Sequence, residues 1–279
     1  MIPHDTWVVV KGGGDLGTGV AVRLRRCGFG VIVTEIPAPT VIRRTVAFAE
    51  AVYAGRQVVE GIEARRVGAA ADVPETLRRG VVPVLVDPDA HVARSLGPDI
   101  LVDATVSKRN VGTRITDAPI VIGLGPGLKA GVDCHAVVET NRGHDLGRVI
   151  LEGEAEPDTA VPGVIAGAGT ERVLRAPRDG VFRATRAIGD RVAPGDAVAT
   201  VDGEPVATAI GGILRGLLRS GLRVEAGLKI GDVDPRARRE HCFTISDKAL
   251  AVAGGVLEAL FVVARRAAPA AATVPLFDA

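Results

Sequence analysis

Residues 7–35 read WVVVKGGGDLGTGVAVRLRRCGFGVIVTE, which is a strand–helix–strand pattern. The apolar run Trp7–Val10 and the β-branched run Val31–Thr34 are each typical of a buried strand. Between them, Leu16–Cys27 places apolar residues at helical spacing and carries arginines near its end, where cations suit the helix dipole. The pattern predicts the first unit of a doubly wound α/β domain.

Further apolar runs extend this pattern along the chain. Val82–Val86 and Ile100–Val102 are strand candidates, with a predicted helix, Pro88–Leu96, between them. Their Val and Ile residues are continuous rather than alternating, which indicates parallel strands covered on both faces. Residues 51–67 alternate more and predict a hairpin. Three more apolar runs follow: Pro119–Leu124, Val132–Val138 and Gly147–Leu151. We therefore predict a Rossmann-like α/β domain over residues 1–172.

After Arg175 the sequence repeats itself at an interval of 32 residues. Three glycines recur at that spacing: Gly180, Gly189 and Gly195 return as Gly212, Gly221 and Gly227. Each unit reads G-apolar-apolar, then G-x-x-V, then G-x-x-[VI], with glycine marking tight turns. This rhythm resembles the biotinyl/lipoyl fold, or barrel-sandwich hybrid, and predicts an all-β module over residues 173–235. The linker between the units, Asp202–Thr208, contains no lysine, so the module cannot be a lysine-linked carrier.

The C-terminal residues, 236–279, are predicted to contain one helix and a loose tail. Asp247–Arg266 has apolar residues on one face, and Ser246 is a plausible N-cap. We expect this helix to return to the α/β domain, which would make the β module an insertion. The tail after Ala267 is rich in alanine and proline.

Composition excludes several function classes. The chain has 279 residues, and its 34 Lys+Arg against 33 Asp+Glu give a net charge of +1, which predicts neither nucleic-acid nor membrane partners. Cys27, Cys134 and Cys242 are too few for a disulfide scaffold, and without a C-x-x-C pair they disfavour zinc-ribbon and iron–sulfur sites. There is no evident secretory signal or bilayer-spanning run, so we expect a cytoplasmic protein.

The residues Gly12–Gly17 match the G-x-G-x-x-G pattern that follows a strand and opens a helix in dinucleotide-binding proteins. We predict that Gly12, Gly14 and Gly17 bind a cofactor phosphate at the helix N-terminus. Glu35 ends the second strand, where a ribose-binding acid sits in NAD enzymes. Asp15 lies inside the loop and is a further cofactor-binding candidate, although its carboxylate would repel a pyrophosphate unless it turns away or binds a metal. A strand-to-helix turn that simply needs glycine is an equally open interpretation.

Two basic or glycine-rich loops follow later strands. Lys108, Arg109 and Asn110 come after the strand that ends at Val102, and ligands bind outside the carboxyl ends of such strands. Arg109 offers a bidentate fork for an anionic group, although a solvated basic loop is the alternative interpretation. After the next strand stand three candidate cofactor-binding glycines: Gly123, Gly125 and Gly127. Glycine at this density implies a close backbone approach.

A third polar stretch supplies the remaining candidates, namely Asn141, Arg142 and His144. We predict an anion- or cofactor-binding loop there, with ordinary turn residues as the alternative. Asp133, Cys134 and His135 precede it, but on a strand these neighbours would alternate between faces, so we predict no metal site.

The segments KGGGDLGTGVAVRL, LVDATVSKRNVGTRITDAPIVIGLGPG, GVDCHAVVETNRGHDLGRVI and FTISDKALAVAGGVLEAL together resemble the YqeB family of the selenium-dependent molybdenum hydroxylase system. The resemblance covers roughly residues 8–260. It implies a bacterial maturation factor for molybdenum hydroxylases that need a labile selenium centre, and it implies no catalytic residue. Only motif positions carry over: Gly12–Gly17, Lys108–Asn110, Gly123–Gly127 and Asn141–His144. The family pattern leads us to expect alanine at Gly13 and Gly17.

These observations lead to one expected function and two alternatives. The first is an accessory protein for a selenium-dependent molybdenum hydroxylase that binds NAD(P) or a molybdopterin nucleotide at the strand ends. Its partners would be the hydroxylase or its cofactor, and a homo-oligomer stays open. The second is an NAD(P)-dependent oxidoreductase acting on a small substrate, against which Asp15 argues. The third is a non-catalytic docking scaffold that uses the β module. Whether the protein is an enzyme stays open, and no catalytic residue is assigned.

Overall fold

The computed structural model describes residues 6–267. Eleven strands precede residue 172: β1 (Trp7–Lys11), β2 (Gly30–Glu35), β3 (Arg56–Val59), β4 (Ile62–Arg66), β5 (Val82–Val86), β6 (Ile100–Asp103), β7 (Ile120–Leu124), β8 (Lys129–Ala130), β9 (Ala136–Val138), β10 (Val149–Ile150) and β11 (Gly153–Glu154). Strands β8 and β11 pair with each other, and the other nine form one sheet in the order β10-β9-β7-β6-β1-β2-β5-β4-β3.

The large sheet is parallel except at its two edges. Strand β3 is antiparallel to β4, β10 is antiparallel to β9, and every pairing between them is parallel. The strand order runs outward in both directions from β1, whose residues Val8, Val9 and Val10 are fully buried. Burial on both faces explains why the central strands read as continuous apolar runs. The chain therefore contains a mixed α/β domain with a large, mostly parallel sheet.

Five helices accompany the strands: α1 (Asp15–Arg26), α2 (Ala51–Ala54), α3 (Val73–Arg78), α4 (His91–Ser95) and α5 (Asp247–Ala267). Helices α1 and α5 lie side by side, and α5 also covers β7 and β9. Small residues permit this close approach, because a Cβ at Gly19 would lie 2.9 Å from the Cβ of Ala249. One apolar core joins both helices to this face of the sheet, and a second core lies on the opposite face.

Eight short strands follow: β12 (Val173–Arg175), β13 (Gly180–Ala184), β14 (Arg191–Val192), β15 (Ala197–Val201), β16 (Glu204–Ala207), β17 (Gly212–Leu217), β18 (Arg223–Val224) and β19 (Lys229–Asp234). They form two antiparallel sheets, β12-β19-β17-β14 and β16-β15-β13-β18, around a core of their own. Their pairing repeats at the interval of 32 residues, since Phe182 pairs with Val201 and Leu214 pairs with Val233. Each sheet combines strands of both repeats, so neither repeat forms a sheet alone.

Some predicted elements differ from the structure in extent. Residues 51–67 begin with the short helix α2, and the hairpin is confined to β3 and β4. The helix predicted at Pro88–Leu96 is only α4, because the Asp87 carboxylate accepts hydrogen bonds from the backbone N–H groups of His91 and Ala93. The run Val132–Val138 forms a strand only at its last three residues. The tail after Ala267 lies outside the described residues.

The segment 42–45 joins the β module to the large sheet. The carbonyl of Ile42 accepts a hydrogen bond from the Leu217 N–H, and Arg44 Nε donates to the Leu217 carbonyl, both at 2.8 Å. Arg43 Nη2 donates to the His241 carbonyl at 3.0 Å. These polar contacts hold β17 beside the carboxyl ends of the parallel strands. Within residues 6–267, no helix is long and apolar enough to cross a membrane.

Candidate functional site

A cavity of about 950 Å³ lies between the carboxyl edge of the large sheet and the β module. The turns after β1, β6, β7 and β9 form one wall, and β12, β17 and β19 form the other. The segment 156–165 and the start of α5 complete it. Its polar lining consists of Asp15, Arg43, Lys108, Thr140, Asn141, Arg142, Glu156, Asp158, Thr159, Arg172, Arg175, Arg215, Lys229, Asp232, Ser246 and Lys248.

The cavity concentrates positive charge. Eight of its lining side chains are cationic and four are carboxylates, which leaves an excess of four positive charges in a chain whose net charge is only +1. A concave surface with an excess of positive charge attracts anions by focusing the electric field. The cavity therefore suits a ligand with several negative charges.

Two lysines of the cavity lining have lowered pKa values. Burial lowers the pKa of Lys248, while the Asp15 carboxylate opposes that shift and the Arg142 charge adds to it. Burial likewise lowers the pKa of Lys229, with Asp232 opposing. The Lys229 residue as a whole is exposed to solvent, yet its ammonium group lies in a concave wall whose atoms displace water. Loss of hydration is therefore the largest effect on its pKa. A bound anion would stabilise both ammonium groups.

The wall formed by the β module contains buried charges. Arg172 Nη1 lies 3.0 Å from Asp232 Oδ2 in an ion pair that is less than a tenth exposed, while Asp232 Oδ1 has no hydrogen-bond partner. Arg215 is also only 8% exposed, and its Nε lies 3.7 Å from Asp234 Oδ2 without a hydrogen bond. Such buried, incompletely satisfied polar groups are costly in a folded protein.

Four of the predicted site residues line this cavity, and each already has a partner. Asp15 Oδ2 lies 3.6 Å from Arg43 Nη1, and Lys108 Nζ lies 2.5 Å from Asp158 Oδ2. Two more contacts complete the set: Asn141 Nδ2 donates to Glu156 Oε2 at 2.5 Å, and Arg142 donates to both Asp247 oxygens at 2.8 and 3.0 Å. Glu156 and Asp158 thus hold the segment 156–165 across the opening.

Other atoms of the protein pack closely around Gly12, Gly13 and Gly17 of the glycine loop. A Cβ at Gly17 would lie 2.0 Å from the Gly12 carbonyl oxygen, so glycine is required for the close approach of strand and helix. The Gly13 carbonyl accepts a hydrogen bond from the Ala49 N–H at 2.9 Å, and a Cβ at Gly13 would lie 2.9 Å from that nitrogen. These contacts explain why this chain has glycine where the family pattern led us to expect alanine. Gly14, by contrast, is open, with its nearest neighbour, Val41, 3.9 Å from a built Cβ.

Glu35 lies against the glycine loop and not in the cavity lining. Its carboxylate accepts 2.8 Å hydrogen bonds from the backbone N–H groups of Gly13 and Ile36. Burial raises the pKa of Glu35, and these two hydrogen bonds oppose the shift. The Glu35 carboxylate is therefore already bound to the backbone of the glycine loop.

The other predicted loop residues lie outside the cavity lining. Gly123 was predicted to follow the strand, but it lies within β7, which continues to Leu124. Asn110 donates to the Thr113 carbonyl at 2.8 Å and to Asp133 Oδ1 at 3.0 Å, and the backbone of Arg109 packs against Gly127. Built Cβ atoms at Gly123 and Gly125 would lie 2.7 Å from Leu128 Cδ1 and 2.5 Å from Thr140 Oγ1, respectively. His144 is exposed and does not line the cavity.

Asp133, Cys134 and His135 lie in a turn before β9, so their predicted alternation on a strand is wrong. Asp133 Oδ2 accepts a hydrogen bond from the Lys129 N–H, and His135 Nδ1 accepts one from the Val121 N–H. Burial raises the pKa of the Cys134 thiol to about 12. In the described part of the chain, no three His, Cys, Asp or Glu side chains are grouped so as to hold a metal ion.

Several cavity residues were not predicted from the sequence: Arg43, Arg172, Arg175, Arg215, Lys229, Asp232 and Lys248. The repeat contained a signal for some of them. In the second repeat, Lys229 and Asp232 stand where the first repeat has Ala197 and Thr200, 32 residues earlier. Charges that break an internal repeat indicate a role that only one unit has.

The chain is similar in sequence to the protein YqeB of Escherichia coli (strain K12), with 49% identity over 253 residues. The match takes in 91% of this chain and 47% of that protein, so the chain spans about half the length of the curated relative it matches. This similarity supports the resemblance to the YqeB family. No protein-family model matches the chain.

Two solved structures show slight similarity. An aspartoacylase family protein from Mesorhizobium loti aligns with 84% of this chain and 87% of its own, at 9% identity and a TM-score of 0.27. The product-bound ectoine utilization protein EutE (DoeB) from Ruegeria pomeroyi aligns with 30% of this chain and 27% of its own, at 22% identity and a TM-score of 0.21. At these TM-scores neither similarity supports an inference about fold or function.

Proposed function

We propose that this protein binds a nucleotide or a molybdopterin-nucleotide-type ligand in the cavity between the large sheet and the β module. The excess of four positive charges in that cavity carries the proposal. Phosphate groups are the anionic part shared by these ligands, and in open α/β sheets ligands bind at the carboxyl ends of the strands. The cavity volume of about 950 Å³ is at the upper end of the range for small-molecule sites.

The proposed ligand lies beside the glycine loop and does not sit on it. Glu35 already accepts the Gly13 N–H, which a phosphate oxygen would otherwise accept, and the Ala49 backbone is hydrogen-bonded to the Gly13 carbonyl and covers the loop there. Gly14 is the open position, at the N-cap of α1 with no side-chain cap. The positive end of the α1 dipole there would add to the attraction for a phosphate.

The same proposal includes a Rossmann-like domain and a barrel-sandwich hybrid module. The order of the large sheet, reversing at β1, supports a Rossmann-like domain. The reciprocal pairing of the two repeats supports a barrel-sandwich hybrid for residues 173–235. In this proposal the module has lost the carrier function and supplies one wall of a binding cavity.

The biological role in the proposal is that of an accessory protein for a selenium-dependent molybdenum hydroxylase. Its support is what the sequence resemblance to the YqeB family implies, and the 49% identity to YqeB supports that resemblance. The role can be tested separately from the ligand. A hydroxylase of this class produced in cells that lack the chain should have lower specific activity than the same enzyme produced with it, and equal activity would contradict the role.

Ligand binding is tested by isothermal titration of the purified protein with ATP, NAD(P) and a molybdopterin nucleotide. Lys229→Gln removes one cavity ammonium group, and we expect it to raise the Kd of the bound ligand by about tenfold, the loss of one charge-assisted hydrogen bond. Lys129 is exposed in β8 and does not line the cavity, so Lys129→Gln should leave the Kd within about twofold of wild type. If folded wild-type protein binds none of these ligands, the proposal is contradicted.

A further inference from the structure

Arg43 and Arg215 form a pair of buried, like-charged groups in the cavity wall. Each side chain is only 8% exposed, and the Nε of each has no hydrogen-bond partner. Both side chains line the same cavity. Burial is the main cause that lowers the pKa of Arg215, and the positive charge of Arg43 is the next. Two like charges held together out of water are unfavourable unless something compensates them.

The nearby carboxylates do not compensate this pair fully. Asp15 lies 3.6 Å from Arg43 Nη1, but its side chain is 36% exposed. Asp232 is held by Arg172 at 3.0 Å, and Asp234 is held by Arg236 through contacts of 2.7 and 2.9 Å. Within residues 6–267, Arg215 makes no hydrogen bond and has only the 3.7 Å ion pair with Asp234. The guanidinium of Arg215 is thus a buried cation with unused donors in the wall of an open cavity.

We propose that Arg43 and Arg215 together form the subsite for a phosphoryl group, with one phosphate bridging the two guanidinium groups. The inference deepens the proposed function, since it assigns the phosphate end of the ligand to a particular place. The planar guanidinium group of Arg215 can donate two parallel hydrogen bonds to phosphate oxygens, and such charge-assisted bonds are stronger than neutral ones. Arg43 would contribute its Nη1, because its Nη2 already donates to two backbone carbonyls. A dianionic phosphate would neutralise the pair.

The repeat provides an internal comparison for this subsite. Arg215 in β17 corresponds to Arg183 in β13, which lies 32 residues earlier at the same position of the first repeat. Arg183 is exposed, whereas Arg215 is buried in the cavity wall. The same residue type on equivalent strands therefore has two environments, and of these two arginines only Arg215 lines the cavity.

The subsite also joins the two parts of the molecule. Arg43 belongs to the segment that follows β2 in the large-sheet domain, and Arg215 belongs to the β module. Arg43 Nη2 further donates to the backbone carbonyls of His241 and Thr244 at 3.0 and 3.3 Å, so its position depends on the residues that follow β19. A bridging phosphate would tie the module to the sheet.

Inorganic pyrophosphate is the probe for this subsite, titrated calorimetrically into the full chain at low ionic strength. We expect wild type to bind it and Arg215→Gln to raise the Kd by at least about tenfold, because one charge-assisted bidentate contact is lost. Arg183→Gln, the matched substitution in the first repeat, should leave the Kd within about twofold. Arg215→Lys keeps the positive charge but lacks the two parallel donors of a guanidinium group, so its Kd should lie between those of wild type and Arg215→Gln. The melting temperature of Arg215→Gln without ligand should be no lower than that of wild type, since the substitution removes a buried charge that Asp234 compensates only in part.

The outcomes separate this inference from the proposed function. The subsite is overturned if wild type does not bind pyrophosphate, if Arg215→Gln binds it as wild type does, or if Arg183→Gln weakens binding equally. If wild type and Arg215→Gln bind a nucleotide equally well, the cavity function stands and the subsite falls. If pyrophosphate binding depends on Arg215 but no nucleotide or molybdopterin nucleotide binds, the subsite stands and the proposed ligand falls.

Discussion

Asp247 shows how a single residue can serve both a helix and the cavity. It lies in the first turn of α5, where a negative charge suits the helix dipole, and it pairs with both terminal nitrogens of Arg142. The hydrogen bond to Arg142 is the main cause that keeps the pKa of Asp247 well below its usual range. Arg142 lines the cavity, so this pair connects the start of α5 to the turn after β9.

Removing this carboxylate should produce a pH-dependent loss of stability. Because the folded-state pKa is depressed, the contribution is fully present above the ordinary value of 3.8 and is lost progressively as the pH falls from there through the lowered folded-state pKa. The Asp247 side chain is 63% exposed, so we expect Asp247→Asn to cost only about 0.5–1 kcal/mol at pH 7. Chemical denaturation at pH 7 and pH 3 measures the effect. Glu258→Gln, an exposed site on the same helix, is the control. A difference from wild type that is undiminished at pH 3 would contradict this account.

At the scale of elements, the packing of α5 depends on small residues at its inner face. Gly255 is buried, and a Cβ there would lie 2.2 Å from the Gly147 carbonyl oxygen and 2.7 Å from Val138 Cγ1. The adjacent Gly254 is less buried, and its nearest neighbour, Arg23 Nη1, would be 3.8 Å from a Cβ. A side chain at position 254 would therefore meet no close neighbour, whereas one at position 255 would clash with the turn at Gly147.

Alanine substitutions at these two glycines should change stability in opposite directions. Gly255→Ala forces the helix away from the turn at Gly147, and we expect it to lower the free energy of unfolding by about 2 kcal/mol. Gly254→Ala should raise it by about 0.5–1 kcal/mol, because alanine favours the helix and meets no obstacle. Urea denaturation of both variants beside wild type measures the pair. Equal effects of the two substitutions would show that α5 is not packed as described.

The sequence predicted the elements better than it predicted the site. The parallel strands are apolar on both faces and α5 is amphipathic, so local pattern was enough to find them. The interval of 32 residues likewise reappears in the strand pairing. The glycine loop was ambiguous, because close backbone approach requires glycine whether the approaching group is a ligand or, as at Gly13, the protein's own Ala49. Arg43 could not be identified locally, since its contact with His241 spans 198 positions along the chain.

At the scale of the whole molecule, the positive charge is collected into one cavity and balanced elsewhere. The chain carries a net charge of +1, while the cavity lining has an excess of four positive charges. The two parts that enclose the cavity are held together by polar contacts such as those of Arg44 with Leu217. Binding of an anion between them would therefore be linked to the stability of the assembled chain.

This arrangement predicts salt-dependent binding and stabilisation by ligand. We expect the affinity for pyrophosphate to fall by at least about threefold when the ionic strength rises from 0.05 to 0.5 M, because mobile ions screen the cavity charge. At a ligand concentration of about 100 times Kd, the free energy of unfolding should rise by about 2.7 kcal/mol. Titrations over a salt series and melting curves with and without pyrophosphate measure these effects. A salt-independent affinity would be inconsistent with a cationic site.

The central claim is that a phosphate-bearing ligand binds between the sheet edge and the β module. A crystal structure of the protein with the tightest-binding ligand of the nucleotide series tests it most directly. We predict electron density for the ligand in the cavity, with a phosphate in contact with Arg43 and Arg215 and the Gly13–Ala49 hydrogen bond intact. Ligand density over the Gly12–Gly17 loop, with Ala49 displaced and the cavity empty, would contradict the account.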